Sequence, residues 1–216
     1  MIQAFIFDMD GVIIDSEPLH FEVDIQVMKD FGAAITQEQL EKYVGMTNPE
    51  MWKLIREEYQ LQRTVSEIID YQLSNKIKIL TAREMEPIDG IRELLADLKA
   101  SGIPVGIASS SPPVFIQAVL DKFGLLDAFN CIVSGEEVDR GKPAPDVYLK
   151  AAELLGAEPA SCMVLEDARH GIAAAKAAGM QCIGFVNPNS GNQDLSAADY
   201  VVRSIAEVSA ICQLKS

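Results

Sequence analysis

The chain has 216 residues, 49% of them hydrophobic, and no low-complexity tract, enough for one large core or for a core domain carrying an insert. Its formal net charge of −14 argues against nucleic acid and anionic membrane surfaces as partners, since both demand basic patches. The same charge means that an anionic substrate needs a local cation to approach.

The chain starts without a basic n-region, and the apolar run Ile2-Gln3-Ala4-Phe5-Ile6-Phe7 is broken by Asp8, so neither a signal peptide nor a transmembrane span is expected there. The run reads as a buried strand that carries Asp8 and Asp10 to its carboxyl tip, with Gly11 following. Alternate residues on an extended backbone face the same side. Two carboxylates so close repel, and one way out is for one to ionise while the other keeps its proton. A nucleophile beside a proton donor is what hydrolysis of a phosphate ester needs.

A stretch without strand pattern follows Asp15. Ser16 is positioned to cap a helix that has Pro18 in its first turn and runs to Phe31-Gly32. Thr36-Gln37-Glu38-Gln39 is a capping box for a second helix ending near Gly45. Asn48-Pro49-Glu50 opens a third, with Met51, Leu54, Ile55 and Tyr59 at helical spacing, and Thr64 or Ser66 opens a fourth reaching toward Leu80. The spacing predicts a helical bundle of about seventy residues, and Met46, Met51 and Trp52 are expected to pack inside it.

From Pro87 the pattern alternates. Helices are expected over Gly90–Ala100, Pro113–Phe123, Asp146–Leu155, Ala168–Ala178 and from Ile205, most of them closed by a glycine stop signal. Between them lie apolar strands over Ile103–Ala108, Cys131–Val133, Cys162–Leu165, Gln181–Val186 and Tyr200–Val202. Repeated βα units make a parallel sheet covered by helices on both faces, with ligands at the carboxyl ends of the strands. The first strand must join this sheet, so the fold class is α/β, a Rossmann-like parallel sheet with an inserted helical domain. The expected division is 1–15 with 86–216 as the core domain and 16–85 as the insert. Cys131, Cys162, Cys182 and Cys212 are widely spaced without a CxxC pair, and three lie in strand-like runs. Buried reduced thiols, and hence a cytoplasmic protein, are the expectation.

The carboxyl edge of such a sheet displays a particular set: Asp8 and Asp10, Ser109 with Ser110 and Ser111 behind it, Glu166 and Asp167, and Lys142 in the loop Arg140-Gly141-Lys142-Pro143. Singly, an acid after a strand can cap the next helix, a serine can be a turn residue, and a lysine can be solvated. Together they make a site. Asp8, Asp10 and Asp167 supply hard oxygen ligands suited to Mg2+, which with Lys142 neutralises the pocket for an anion. Ser109, helped by backbone amides at a helix start, can hold phosphoryl oxygens.

Asp8-Met9-Asp10-Gly11-Val12-Ile13-Ile14-Asp15-Ser16, Ser109, Gly141-Lys142-Pro143 and Glu166-Asp167 resemble, in order and spacing, the four signature motifs of the haloacid dehalogenase-like hydrolases. The resemblance spans essentially the whole chain, and a helical insert after the first motif is similar to the C1 cap of the β-phosphoglucomutase and phosphatase branch. It implies that Asp8 attacks phosphorus to give an aspartyl-phosphate, and that Asp10 protonates the leaving oxygen and then activates water. It further implies that Mg2+ is held by the Asp8 side chain, the Asp10 carbonyl and Asp167, with Glu166 on the metal or just behind its ligands, while Ser109 and Lys142 bind the phosphoryl group. Asp10 also separates the chain from the dehalogenases, which lack this aspartate. Ala168 departs from the serine that commonly follows Glu-Asp in relatives, removing a hydroxyl but no ligand.

The resemblance leaves phosphatase and mutase to be separated. A mutase holds a second phosphate with a cap arginine, whereas Gly45-Met46-Thr47-Asn48-Pro49-Glu50 has no basic residue, which favours a phosphatase. Ser16 and His20 resemble the mutases' hinge hydroxyl and histidine, though His20 is also readable as a general hinge or surface feature. Lys76, Lys78 and Arg83 are further sources of cap charge. His170 is expected to face solvent. A bacterial phospho-receiver domain, which uses a similar pocket for signalling, is shorter and has no insert. The expected partner is a small phosphorylated metabolite, sugar phosphates by default, for a monomer binding neither nucleic acid nor membrane.

Overall fold

The structure is a computed structural model that describes residues 2–43 and 48–215. In chain order its elements are β1 (Ala4–Phe7), α1 (Glu17–Asp30), α2 (Gln37–Glu41), α3 (Asn48–Glu58), α4 (Val65–Ala82), α5 (Ile91–Ala100), β2 (Val105–Ser109), α6 (Pro113–Phe123) and β3 (Cys131–Ser134). They continue with α7 (Asp146–Leu155), β4 (Cys162–Glu166), α8 (Arg169–Ala177), β5 (Gln181–Phe185), β6 (Tyr200–Val202) and α9 (Ala206–Ile211). Two compact units divide the chain, one running to Asp15 and again from Met85, the other spanning Ser16–Glu84.

The larger unit is built on a six-stranded sheet of order β3-β2-β1-β4-β5-β6, every pair parallel. β1 lies inside it, and all four of its residues are buried, which is why its sequence is apolar throughout rather than alternating. Ala4 and Ile6 join Tyr148 and Ala151 of α7 and Ile172 and Ala175 of α8 in one core layer. Phe5 and Phe7 take the opposite face, their rings 4.7 Å apart. The connection from β3 to β4 carries the chain back past β1 to its other side, so the strand order reverses between β1 and β4. The carboxyl ends there flank the crevice in which open α/β sheets bind ligands. Cys162 and Cys182 are buried as expected, whereas Cys131 and Cys212 are only half-buried, and all four thiols are free. Burial pushes Cys131, Cys162 and Cys212 up to about 11, which keeps them protonated and unreactive at neutral pH.

The smaller unit is helical. Thr36 with Gln39, and Thr64 with Glu67, form reciprocal capping boxes at the starts of α2 and α4. α4 packs along α1 and α3. Three local expectations change. Ser16 precedes α1, but its side chain makes no cap bond, because its backbone is already helical (φ −93°, ψ −14°) rather than extended. α2 ends at Glu41, as the side chains of Lys42 and Tyr43 turn to Glu58, at 2.9 and 2.6 Å; the stretch 44–47, including Gly45 and Met46, lies outside the described residues. In α3 Trp52 and Ile55 are buried, while Leu54 is exposed. Among the described residues no helix is long and apolar enough to cross a membrane.

Candidate active site

β1 delivers Asp8 to the crevice, and the Asp8 amide still reaches across to the Leu165 carbonyl of β4 at 2.9 Å. Past Asp8 the backbone folds tightly. The amides of Ile13 and Ile14 return to the Met9 carbonyl, and Gly11 takes a φ of +76°. No side chain fits at Gly11, because a Cβ there would fall 2.0 Å from an Asp167 oxygen. The turn presses the first acidic motif against the last.

Asp10 is fixed from β2's end. Its Oδ2 accepts a 2.7 Å hydrogen bond from Ser111 Oγ, and Ser111 is held in turn by Ser109 Oγ, which accepts from its amide at 3.0 Å. Ser134, opposite Ser109 in register, donates to the Ser111 carbonyl at 2.7 Å. Ser109 is wholly buried at the tip of β2.

Lys142 reaches in from the loop before α7. Its Nζ lies 2.6 Å from Asp8 Oδ1, 2.8 Å from Glu166 Oε1 and 4.8 Å from the centre of the Tyr148 ring. Glu166, the last residue of β4, has both oxygens engaged. Oε1 accepts from Lys142 and from Tyr148 Oη at 3.1 Å, and Oε2 accepts from the Ala168 amide at 2.8 Å. Asp167 is buried next to it and accepts from Ser190 Oγ. One oxygen from each of Asp8, Glu166 and Asp167 falls within 4.8 Å of the others.

Three buried carboxylates against one ammonium leave this cluster short of positive charge. Burial raises Asp8 well above the carboxylate range, aided by Glu166, Asp167 and Asp10 and opposed by Lys142. Burial and Glu166 push Asp167 up to about 7. Burial pulls the Lys142 ammonium down, but Asp8 and Glu166 hold it above its usual value. An all-oxygen donor set with such a charge deficit fits a hard divalent cation. Asp8 and Asp167 are the acids placed to hold one, because Glu166's oxygens already serve the lysine, the tyrosine and an amide.

The sheet edge therefore gathers Asp8, Asp10, Ser109, Lys142, Glu166 and Asp167. Ser16 and His20 belong to the helical unit, where the His20 amide donates to the Ser16 carbonyl at 2.9 Å. Of the candidate cap cations, Lys76 is buried beside Asp24, Arg83 pairs with Glu22, and Lys78 is exposed. His170 is exposed.

A family profile described as haloacid dehalogenase-like hydrolase matches residues 5–185, which include this edge from Asp8 to Asp167. The chain belongs to that family. Hexitol phosphatase B of Escherichia coli is 34% identical over 215 residues, covering 97% of this chain and 95% of that protein. Beta-phosphoglucomutase of Bacillus subtilis is 33% identical over 219 residues, covering 96% and 92%. A crystal structure of beta-phosphoglucomutase from Clostridium difficile superposes with a TM-score of 0.83 at 27% identity, covering 99% of this chain and 96% of that one.

Four supporting residues were not singled out from the sequence for their structural parts: Ser111, Tyr148, Gly171 and Ser190. Gly171 carried a readable signal, since glycine in a helix costs about 1 kcal/mol relative to alanine. Here it is required, because a Cβ at 171 would fall 1.5 Å from Glu166 Oε1. Helix propensity alone therefore favours Gly171→Ala, while the Glu166 contact opposes it. The contact is expected to win. Glu166 must swing away from Lys142, Tyr148 and the Ala168 amide, and urea unfolding should show a net loss of about 1–3 kcal/mol. A variant as stable as the parent would show that Glu166 is not locked in this position.

Proposed function

We propose that the protein is a Mg2+-dependent phosphatase of small phosphomonoesters, phosphorylated sugars or sugar alcohols, working through an aspartyl-phosphate on Asp8, with the helical unit as its cap. The observation that carries this reading is the set of partners around Asp8. One oxygen is held by Lys142, and the buried Asp167 lies beside it, where a divalent cation would share the two acids. In this reading Asp8 and Asp167 hold Mg2+ together with the Asp10 backbone carbonyl. When bound, the ion supplies charge neutralisation for the transferring phosphoryl group.

The residues then divide the work. Asp8 attacks phosphorus, and the bond to the ester oxygen breaks. Asp10, oriented by Ser111, gives its proton to the leaving oxygen. Water next attacks the phosphoryl group and loses a proton to Asp10, and the Asp8 carboxylate is regenerated. Lys142 and Ser109 hold phosphoryl oxygens throughout, as fixed donors preorganised for charge that builds in the transition state. Glu166 keeps Lys142 aimed at Asp8.

The hexitol phosphatase relative supports a phosphorylated hexitol or sugar as substrate. The beta-phosphoglucomutase relative favours a second reading, transfer of the phosphoryl group back to a sugar. Against that, the stretch 45–50 carries no basic residue, and Lys76 and Arg83 face Asp24 and Glu22. Phosphate release from a panel of phosphorylated sugars and sugar alcohols, ranked by kcat/KM with Mg2+ and with chelator, tests the choice. Conversion of β-glucose 1-phosphate to glucose 6-phosphate without phosphate release would overturn it.

The metal also links to pH. In the metal-free fold Asp167 titrates near 7 rather than 3.8. The folded chain thus keeps this proton where the unfolded chain has lost it. That contribution to stability is complete below about pH 4 and is lost as pH rises through about 7. Metal binding needs the ionised acid, so it follows the opposite trend. The Tm of chelator-treated protein should fall between pH 5 and pH 8, and the Tm gain on adding Mg2+ should grow over the same interval. A Mg2+ gain that does not vary with pH would contradict the assignment of Asp167.

A further inference from the structure

The loop after β5, Asn187 to Gln193, carries polar side chains that point into the site's foundations. Asn187 is buried, and its Nδ2 donates to the Gly11 carbonyl at 2.9 Å while its Oδ1 accepts from the Asn189 amide at 2.8 Å. Asn189 Nδ2 donates to Asp15 Oδ2 at 2.5 Å. Gln193 ties the loop to α8, with Oε1 accepting from the Arg169 amide at 3.2 Å and Nε2 donating to the Ser190 carbonyl at 3.0 Å. Ser190 sits between these anchors, its hydroxyl on Asp167 Oδ2. Its Oγ would lie 2.8 Å from a Cβ at Gly11, so turn, acid and hydroxyl meet at one point. The buried Asp167 carboxylate is therefore held between the Gly11 backbone, which packs tightly against it, and the Ser190 hydroxyl on its Oδ2. An open pocket of about 300 Å3 beside the loop is lined by Phe185, Asn187, Gln193, Leu195 and Asp167.

We infer that this loop is a strap that joins the turn after β1 to the start of α8, and that Ser190 is the positioning residue that aims Asp167 at the metal. The inference rests on the metal-holding part of the reading above. A hydroxyl on one oxygen of a ligating carboxylate leaves the other free and fixes the plane of the group, so the metal meets a formed half-site. Loss of such an outer partner weakens metal affinity by about 10- to 100-fold.

The test is calorimetric titration of the full chain with Mg2+ alone, for the parent, Ser190→Ala and Ser190→Thr. Ser190→Ala should bind Mg2+ about tenfold more weakly, with kcat at saturating Mg2+ within about threefold of the parent, and Ser190→Thr should bind within about threefold of the parent, because the hydroxyl returns. A merely structural role would lower Tm and leave the Mg2+ Kd alone. Equal or tighter Mg2+ binding by folded Ser190→Ala overturns the inference, as does a parent chain that binds no Mg2+. If the parent binds Mg2+ and Ser190→Ala binds it weakly, yet neither releases phosphate from any phosphomonoester, the inference stands and the phosphatase reading falls.

Discussion

Replacing Asp8 with asparagine is expected to abolish turnover, lowering kcat by at least about 10³-fold, and to leave the fold intact. The amide has the shape of the carboxylate but neither its nucleophilicity nor its charge. It can still offer an oxygen to Lys142, which now bonds Asp8 Oδ1 at 2.6 Å. Burial holds Asp8 well above its usual range, so a neutral isostere relieves a strained charge in the metal-free chain. The Tm of Asp8→Asn without metal should equal or exceed that of the parent. Phosphate release assays and thermal melts on the same preparation check both halves. Substantial activity in a folded Asp8→Asn would remove the nucleophile from the mechanism.

Lys142→Ala should lose stability as well as activity. The Lys142 side chain is 7% exposed and holds two acids, Asp8 and Glu166, whose side chains are 10% and 1% exposed. Breaking a buried ion pair by removing one partner costs about 3–5 kcal/mol, because the remaining charge is left uncompensated. Tyr148 also loses the cation over its ring. Urea unfolding at neutral pH should show a loss of that size. The deficit should shrink at lower pH, where the raised Asp8 takes up a proton and no longer needs its counterion. A loss under about 1 kcal/mol, or one that does not change with pH, would mean that Lys142 is not the counterion of this cluster.

The alternation of strands and helices was legible because each unit is a local pattern. An apolar run, a polar tip and an amphipathic helix are written in consecutive residues, and the strand bounds shift only by one or two positions. The acids, Ser109 and Lys142 were legible for the same reason: each sits at, or in a loop opening from, the carboxyl edge of one sheet. Residues that act across the fold were not. Tyr148 reads as an ordinary core aromatic of α7, and only the packing of α7 on the sheet brings its hydroxyl to Glu166, 18 positions later. Ser190 is one polar residue in a polar loop, and its link to Asp167 depends on β5 lying beside β4. Lys76 and Arg83 read as spare charges because their acids, Asp24 and Glu22, lie more than fifty residues away in sequence on another helix.

Phosphate is expected to pass through Asp8 on its way from the ester to water. Rapid acid quench of a single turnover on a phosphorylated sugar alcohol with Mg2+, followed by mass analysis of the peptide containing Asp8, tests it most directly. A phosphoryl group on Asp8 that appears and decays at rates matching phosphate release is the expected result. Phosphate release with Asp8 never phosphorylated, or with the phosphoryl group on another residue, would contradict it.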